Sequence, residues 1–186
     1  HSILNPILDE LNSHMVDGII YIAGHARKIN CFPEYFGTPA VMAYAYDQNP
    51  MVSAVLPDDE TSAYQMTRYL IRKGHKKIAL LAGREDNLHT RRRLKGYQNA
   101  LFDAQILYNP RLVRYVDWNK PSGYQETKRL LKEDITAIFC MADTIAGGVY
   151  QYLDEQGLRA GRDVSVVGFD NHVLSEYMIP GLTTMA

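Results

Sequence analysis

The chain has 186 residues, 46% of them hydrophobic and 22% charged, with a formal net charge of −1. That length buries a real core but falls short of two full-sized domains, and the near-zero charge leaves no electrostatic footprint for nucleic acid or a membrane surface. No apolar run reaches bilayer-spanning length, no signal-peptide pattern opens the chain, and two distant cysteines, Cys31 and Cys140, suggest no disulfide framework and so a reducing, cytoplasmic setting.

In chain order, Ile3, Ile7, Leu8, Leu11 and Met15 recur at helical spacing until Asp17-Gly18 breaks the pattern ahead of a short apolar strand over 19–23. A polar, aromatic segment from 24 to 37 follows, then a strand over 39–44 and an extended piece over 52–56. Pro57-Asp58-Asp59-Glu60 closes that piece and offers an N-cap, with acids in the first turn of a helix where the macrodipole favours them. This helix buries Ala63, Met66, Leu70 and Ile71 and stops at Gly74.

Strands are expected over 77–83, 112–116, 136–140 and 163–170, and helices over 88–104, 122–133 and 144–156. The run Asp163-Val164-Ser165-Val166-Val167-Gly168-Phe169-Asp170 is the clearest of the strands, nearly all apolar as a parallel strand covered on both faces must be. Strands alternating with helices of ten or more residues predict an α/β fold of doubly wound parallel sheets with helices on both faces and right-handed crossovers. The segments before Gly74 and after His75 each read as part of an α/β half, giving two lobes, 1–74 and 75–186. The chain starts in mid-pattern and stops on an extended Leu182-Thr183-Thr184-Met185, which reads as a piece of a longer protein.

In such a fold the loops after the strands share one rim, and ligands bind there. The rim residues are Gly24-His25, Tyr44 to Asp47, Asp58-Asp59, Gly83 to Asn87, Asp117-Trp118, Met141 to Asp143, and Asp170-Asn171. This polar, aromatic set of mixed charge suits a small polar ligand held by hydrogen bonds and ring stacking. Trp118 is either a partly buried aromatic closing the sheet edge or a platform for a sugar ring or base. Within Arg91-Arg92-Arg93 a solvated cationic face is the simple reading and fits Arg92, whereas Arg93 lies on the turn nearest the rim, where its fork can hold vicinal hydroxyls or a carboxylate, with Arg91 as a second candidate. Asp143 reads first as a helix cap, while Asp170 is open to both capping and ligand binding. The six histidines show no paired metal spacing, and there is no nucleophile elbow, phosphate loop or dinucleotide fingerprint, so neither an enzyme nor a cofactor is expected.

Taken together, Gly74-His75-Lys76-Lys77-Ile78-Ala79, Arg93-Leu94-Lys95-Gly96-Tyr97, Thr136-Ala137-Ile138-Phe139-Cys140, Asp143-x-x-Ala146, Asp163 to Asp170 and Leu182-Thr183-Thr184 resemble the effector-binding core of the LacI/GalR transcriptional regulators, over nearly the whole chain. The resemblance implies a two-lobed periplasmic-binding-protein-like fold with an incomplete N-terminal lobe, and a second crossing between lobes near 180–186. It implies a sugar- or nucleobase-sensing repressor core, dimeric along 144–156 and 172–177. Operator DNA would be bound by a helix-turn-helix headpiece outside these residues. Residue by residue, Arg93 matches the arginine that grips effector hydroxyls or a carboxylate, Asp170 an aspartate that accepts from the ligand, Trp118 a stacking aromatic, and Asp58 the acidic end of the last N-lobe strand. Ala142 departs from the asparagine many members carry there, and Pro180-Gly181 from the frequent Pro-Pro. The rival with the same fold is a periplasmic or surface solute-binding protein of a sugar transporter.

Overall fold

Apolar segments whose residues alternate between two covered faces become parallel strands here, and the amphipathic segments between them become the covering helices. The structure is a computed structural model describing residues 4–33 and 36–186; Ile3 and the side chain of His25 lie outside the described residues. Contacts divide the chain into two compact units, 1–58 and 59–186.

In the first unit α1 (Leu4–Ser13) precedes a three-stranded parallel sheet, β1 (Ile19–Lys28), β2 (Ala40–Tyr46) and β3 (Ser53–Val55), in the order β1-β2-β3. Leu8, Ala23, Met42 and Ala45 form its core, while Ile20, Ile22, Val41 and Val55 stay exposed. β1 runs five residues beyond the expected 19–23 because Arg27 and Lys28 pair with Ala45 and Tyr46 after a register shift, so backbone pairing prevails over the polar side chains of that stretch.

The second unit opens with α2 (Asp59–Arg72), followed by β4 (Ile78–Ala82), α3 (Leu88–Asp103), β5 (Val113–Tyr115), α4 (Lys120–Leu130), β6 (Ala137–Cys140), α5 (Asp143–Glu155), β7 (Ser165–Phe169), the short α6 (Leu174–Tyr177) and β8 (Thr183–Met185). Its five parallel strands lie in the order β5-β4-β6-β7-β8. Period-two alternation sends Leu81, Ile138, Cys140 and Val166 to one face, against Leu130, Ile145, Val149 and Leu153 of α4 and α5. Leu80, Phe139, Val167 and Phe169 go to the other face, against Met66, Leu70, Tyr97 and Leu101 of α2 and α3. Two covered faces explain why β4, β6 and β7 read as continuous apolar runs.

The sequence put the boundary between halves at Gly74-His75, whereas α2 packs on α3 and the compact units divide between Asp58 and Asp59. Gly96 makes that packing possible: a Cβ there would stand 2.1 Å from the Glu60 carbonyl oxygen. Among the described residues no helix is long and apolar enough to cross a membrane.

Candidate functional site

Three strand ends and the first turns of two helices place the polar groups of the second unit together. Asn87 caps α3, its side-chain oxygen accepting from the backbone N–H of His89 at 2.8 Å and of Thr90 at 3.4 Å. That start sets His89 and Arg93 four residues apart on one face, and both reach the first residue of α2, Asp59. Arg93 Nε donates to Asp59 Oδ1 at 2.8 Å, and His89 Nδ1 lies 2.7 Å from Asp59 Oδ2. Arg93 is 5% exposed and Asp59 1%.

The rest of the guanidinium faces the sheet. Nη1 donates to the Met141 carbonyl oxygen just past β6, and Nη2 to Asp170 Oδ1, just past β7, at 3.4 Å. The Phe169 ring lies under it, 3.6 Å from Cζ to the centroid, and the Trp118 ring stands 6.0 Å away. Trp118 is half-buried and lies against Gly83 at the end of β4, where a Cβ would come within 1.9 Å of the indole. Asp170 and Asn171 both hold positive φ, 98° and 47°, a conformation that costs free energy and is found at ligand-binding turns. The Asp170 side chain remains 48% exposed and so stays open to solvent beside a buried cation.

Electrostatics separates Asp59 from Asp143. Burial pushes the Asp59 carboxyl up, but the His89 hydrogen bond and the charge and hydrogen bond of Arg93 more than reverse this and hold it below its ordinary value. Asp143 goes the other way. Burial raises it and the charge of Asp170 adds to the rise, against the hydrogen bonds from Thr184 and His172. Asp143 is not the N-cap of α5: Ala142 occupies that position and α5 has no side-chain cap. Instead Oδ1 accepts from Thr184 Oγ1 and Oδ2 from the His172 N–H, both at 2.7 Å, tying α5 to β8 and to the loop after β7.

Arg93, Trp118 and Asp170 are therefore brought together in the second unit. Arg91 is exposed, and its charge acts on Asp86, which pairs with Arg84. Asp58 is exposed and is the last residue of the first unit. Sequence reasoning placed Asp59 on the rim only as a helix-start acid and passed over His89 once metal spacing was absent; the four-residue offset of His89 from Arg93 along α3 was the available signal for His89, and Asp59, on α2, had none. A cleft of about 600 Å³ on the β5 edge, lined by Arg84, Asp86, Tyr115, Asp117, Ser122 and Glu126 among others, contains none of Arg93, Trp118 or Asp170. Among the described residues no group of three or more metal-ligating side chains occurs.

Comparison with known proteins matches residues 2–181 to the family described as periplasmic binding proteins and sugar binding domain of LacI family. The Ribose operon repressor of Haemophilus influenzae is 32% identical over 180 residues, covering 96% of this chain and 54% of the relative. The HTH-type transcriptional repressor CytR of Escherichia coli is 34% identical over 182 residues, covering 96% and 53%. Among solved structures, a regulatory protein of LacI family from Chloroflexus aggregans superposes with a TM-score of 0.82 at 27% identity, covering 98% of this chain and 67% of that one. The chain spans about half the length of the curated relatives it matches.

Proposed function

This chain belongs to the family of periplasmic binding proteins and LacI-type sugar-binding domains, and we propose that it is the effector-sensing core of a bacterial transcriptional repressor. The observation that carries this reading is the cluster at the strand ends: a buried arginine fork, a half-exposed carboxylate 3.4 Å from it and two aromatic rings. Such a set grips a small, ring-shaped, hydroxyl-rich ligand. Arg93 donates to its oxygens, Asp170 accepts from its hydroxyls, and Trp118 covers its apolar face.

The signal passes to operator DNA through a helix-turn-helix headpiece outside these residues, in a cytoplasmic homodimer. A ligand shifts that equilibrium only through its different affinities for the DNA-competent and DNA-released states. Exposed Val173 and Tyr177 at the ends of α6 support a self-association face along 172–177 and α5. The naming of the relatives as repressors supports a regulator over the solute-binding rival, and their naming as regulators speaks against an enzyme.

The test is a thermal-shift screen of sugars and nucleosides on the full-length protein, followed by calorimetry of Arg93→Ala and a gel shift on its operator with and without the hit. A ligand at about 100 times its Kd adds roughly 2.7 kcal/mol of stability. Unchanged binding in Arg93→Ala would sink the site assignment, and sedimentation of the full-length protein as a monomer at micromolar concentration would sink the dimer.

A further inference from the structure

We propose that Asp59 is the specificity-determining residue of this site: its carboxylate, held on Arg93 Nε, balances that buried cation, so that the site takes uncharged polyols and excludes phosphates and carboxylates. This deepens the effector reading above and rests on it.

Two observations carry it, the first being charge. Arg93 is in contact with two carboxylates, Asp59 at 2.8 Å and Asp170 at 3.4 Å. Among the described residues the other charged groups near the rim balance: Arg84 and Arg91 face two acids, Asp86, which pairs with Arg84 and feels Arg91, and Asp117, whose charge acts on Arg84, while Asp143 is a further, buried acid whose pKa Asp170 influences. An incoming anion meets a guanidinium whose charge is already answered. It also approaches Asp170 across a short distance, with the Asp59 charge behind Arg93 in a region where water screens poorly.

Hydrogen-bond chemistry is the second observation. Of the five N–H donors of the guanidinium, Asp59, Met141 and Asp170 engage three, which leaves two for a ligand. Asp170 beside them can only accept once ionised. A group placed at the Arg93–Asp170 pair must therefore both accept and donate. A hydroxyl does both, and a vicinal diol matches two donors and one carboxylate, whereas a phosphate or carboxylate oxygen only accepts and leaves Asp170 facing a like charge. Phe169 and Trp118 add apolar ring faces, which suit the C–H face of a sugar and contribute nothing to an anion.

The probe set is four matched pairs titrated calorimetrically into the full-length protein: ribose and ribose 5-phosphate, glucose and glucose 6-phosphate, cellobiose and cellobionate, adenosine and AMP. The neutral member of a binding pair is expected to bind at least about tenfold more tightly than its charged partner, a difference of about 1.4 kcal/mol. Asp59→Asn, which keeps an acceptor oxygen for Nε but removes the charge, should close that gap about tenfold or more through tighter binding of the charged member, and Asp59→Glu should keep it. Preference for a charged member in the wild type overturns the inference while the effector reading stands. A gap unchanged in Asp59→Asn whose Trp118 emission matches the wild type overturns the role of Asp59. Binding by no member of any pair removes the effector reading itself, and this inference with it. The wild-type comparison needs no variant, so a misfolded Asp59→Asn leaves the charge preference decisive.

Discussion

Replacing Arg93 with methionine tests whether the centre of the site is a buried ion pair. The substitution keeps an unbranched apolar stem but removes the partner 2.8 Å from Asp59 Oδ1 and the cation 3.6 Å from the Phe169 ring. Asp59 is 1% exposed, so its charge stays in the interior with His89 as its remaining side-chain partner among the described contacts. Breaking a buried pair from one side costs about 3–5 kcal/mol, a large share of the roughly 5–15 kcal/mol that hold a typical domain. With a urea slope of about 2 kcal/mol/M, the midpoint falls by about 2 M. Trp118 is the only tryptophan and lies in the second unit, so its fluorescence reports the unfolding of that unit alone. Lys77→Met, which breaks the exposed pair with Asp134, is the control and should leave the midpoint in place. The sign with pH is fixed by Asp59. Its depressed pKa in the native protein contributes stability that is present above the ordinary carboxylate value of about 3.9 and is lost as pH falls through the folded value. In Arg93→Met burial dominates and raises that carboxyl, so the gap between the two proteins narrows as pH drops from 7 towards 4. A midpoint shift below about 0.5 M at pH 7, or a gap that widens on acidification, would refute the buried-pair account.

Asp143 should show the opposite pH sign. Its folded pKa is raised, so its ionisation weakens the fold as pH rises above the ordinary carboxylate range; urea midpoints at pH 4.5 and 7 should fall less in Asp143→Asn than in the wild type, and equal slopes would count against the assignment. Gly83→Ala forces the indole of Trp118 off a position where a Cβ would sit 1.9 Å from it, so a shifted Trp118 emission maximum and a loss of about 1–3 kcal/mol are expected in the same titration. The Thr90 hydroxyl is fully buried with no hydrogen-bond partner among the described residues; Thr90→Val should therefore be neutral or stabilise by up to about 1 kcal/mol, and a loss above that would show a partner for the hydroxyl.

The parts of this structure that were legible in the sequence are those whose cause is local or periodic. Leu80, Leu81, Ile138, Phe139, Val166 and Val167 announce doubly covered strands by composition, and Gly74 marks a helix stop by its own chemistry. Once the strands were placed, Asp170 and Trp118 followed as strand-end residues. Gly24 to Lys28 was missed because strand pairing there is set by a neighbour in space, Ala45 and Tyr46, against the polarity of the segment.

Asp59 exposes a deeper limit. An acid in the first turn of a helix has a sufficient local explanation in the macrodipole, so nothing in its neighbourhood calls for another. Its actual partners stand 30 and 34 residues later in the chain, His89 and Arg93, and only the packing of α2 on α3 at Gly96 brings them together. The same packing moves α2 from the first half of the chain, where its position before Gly74 had put it, into the second unit. The unit that α2 joins and the partners of Asp59 both depend on what α2 covers, and its apolar face, Ala63, Met66 and Leu70, fits any sheet equally well. That contact fixes the Asp59 carboxylate beside the Arg93 fork, so on the proposed reading the charge of the ligand would be a property of the α2–α3 interface as much as of the strand ends.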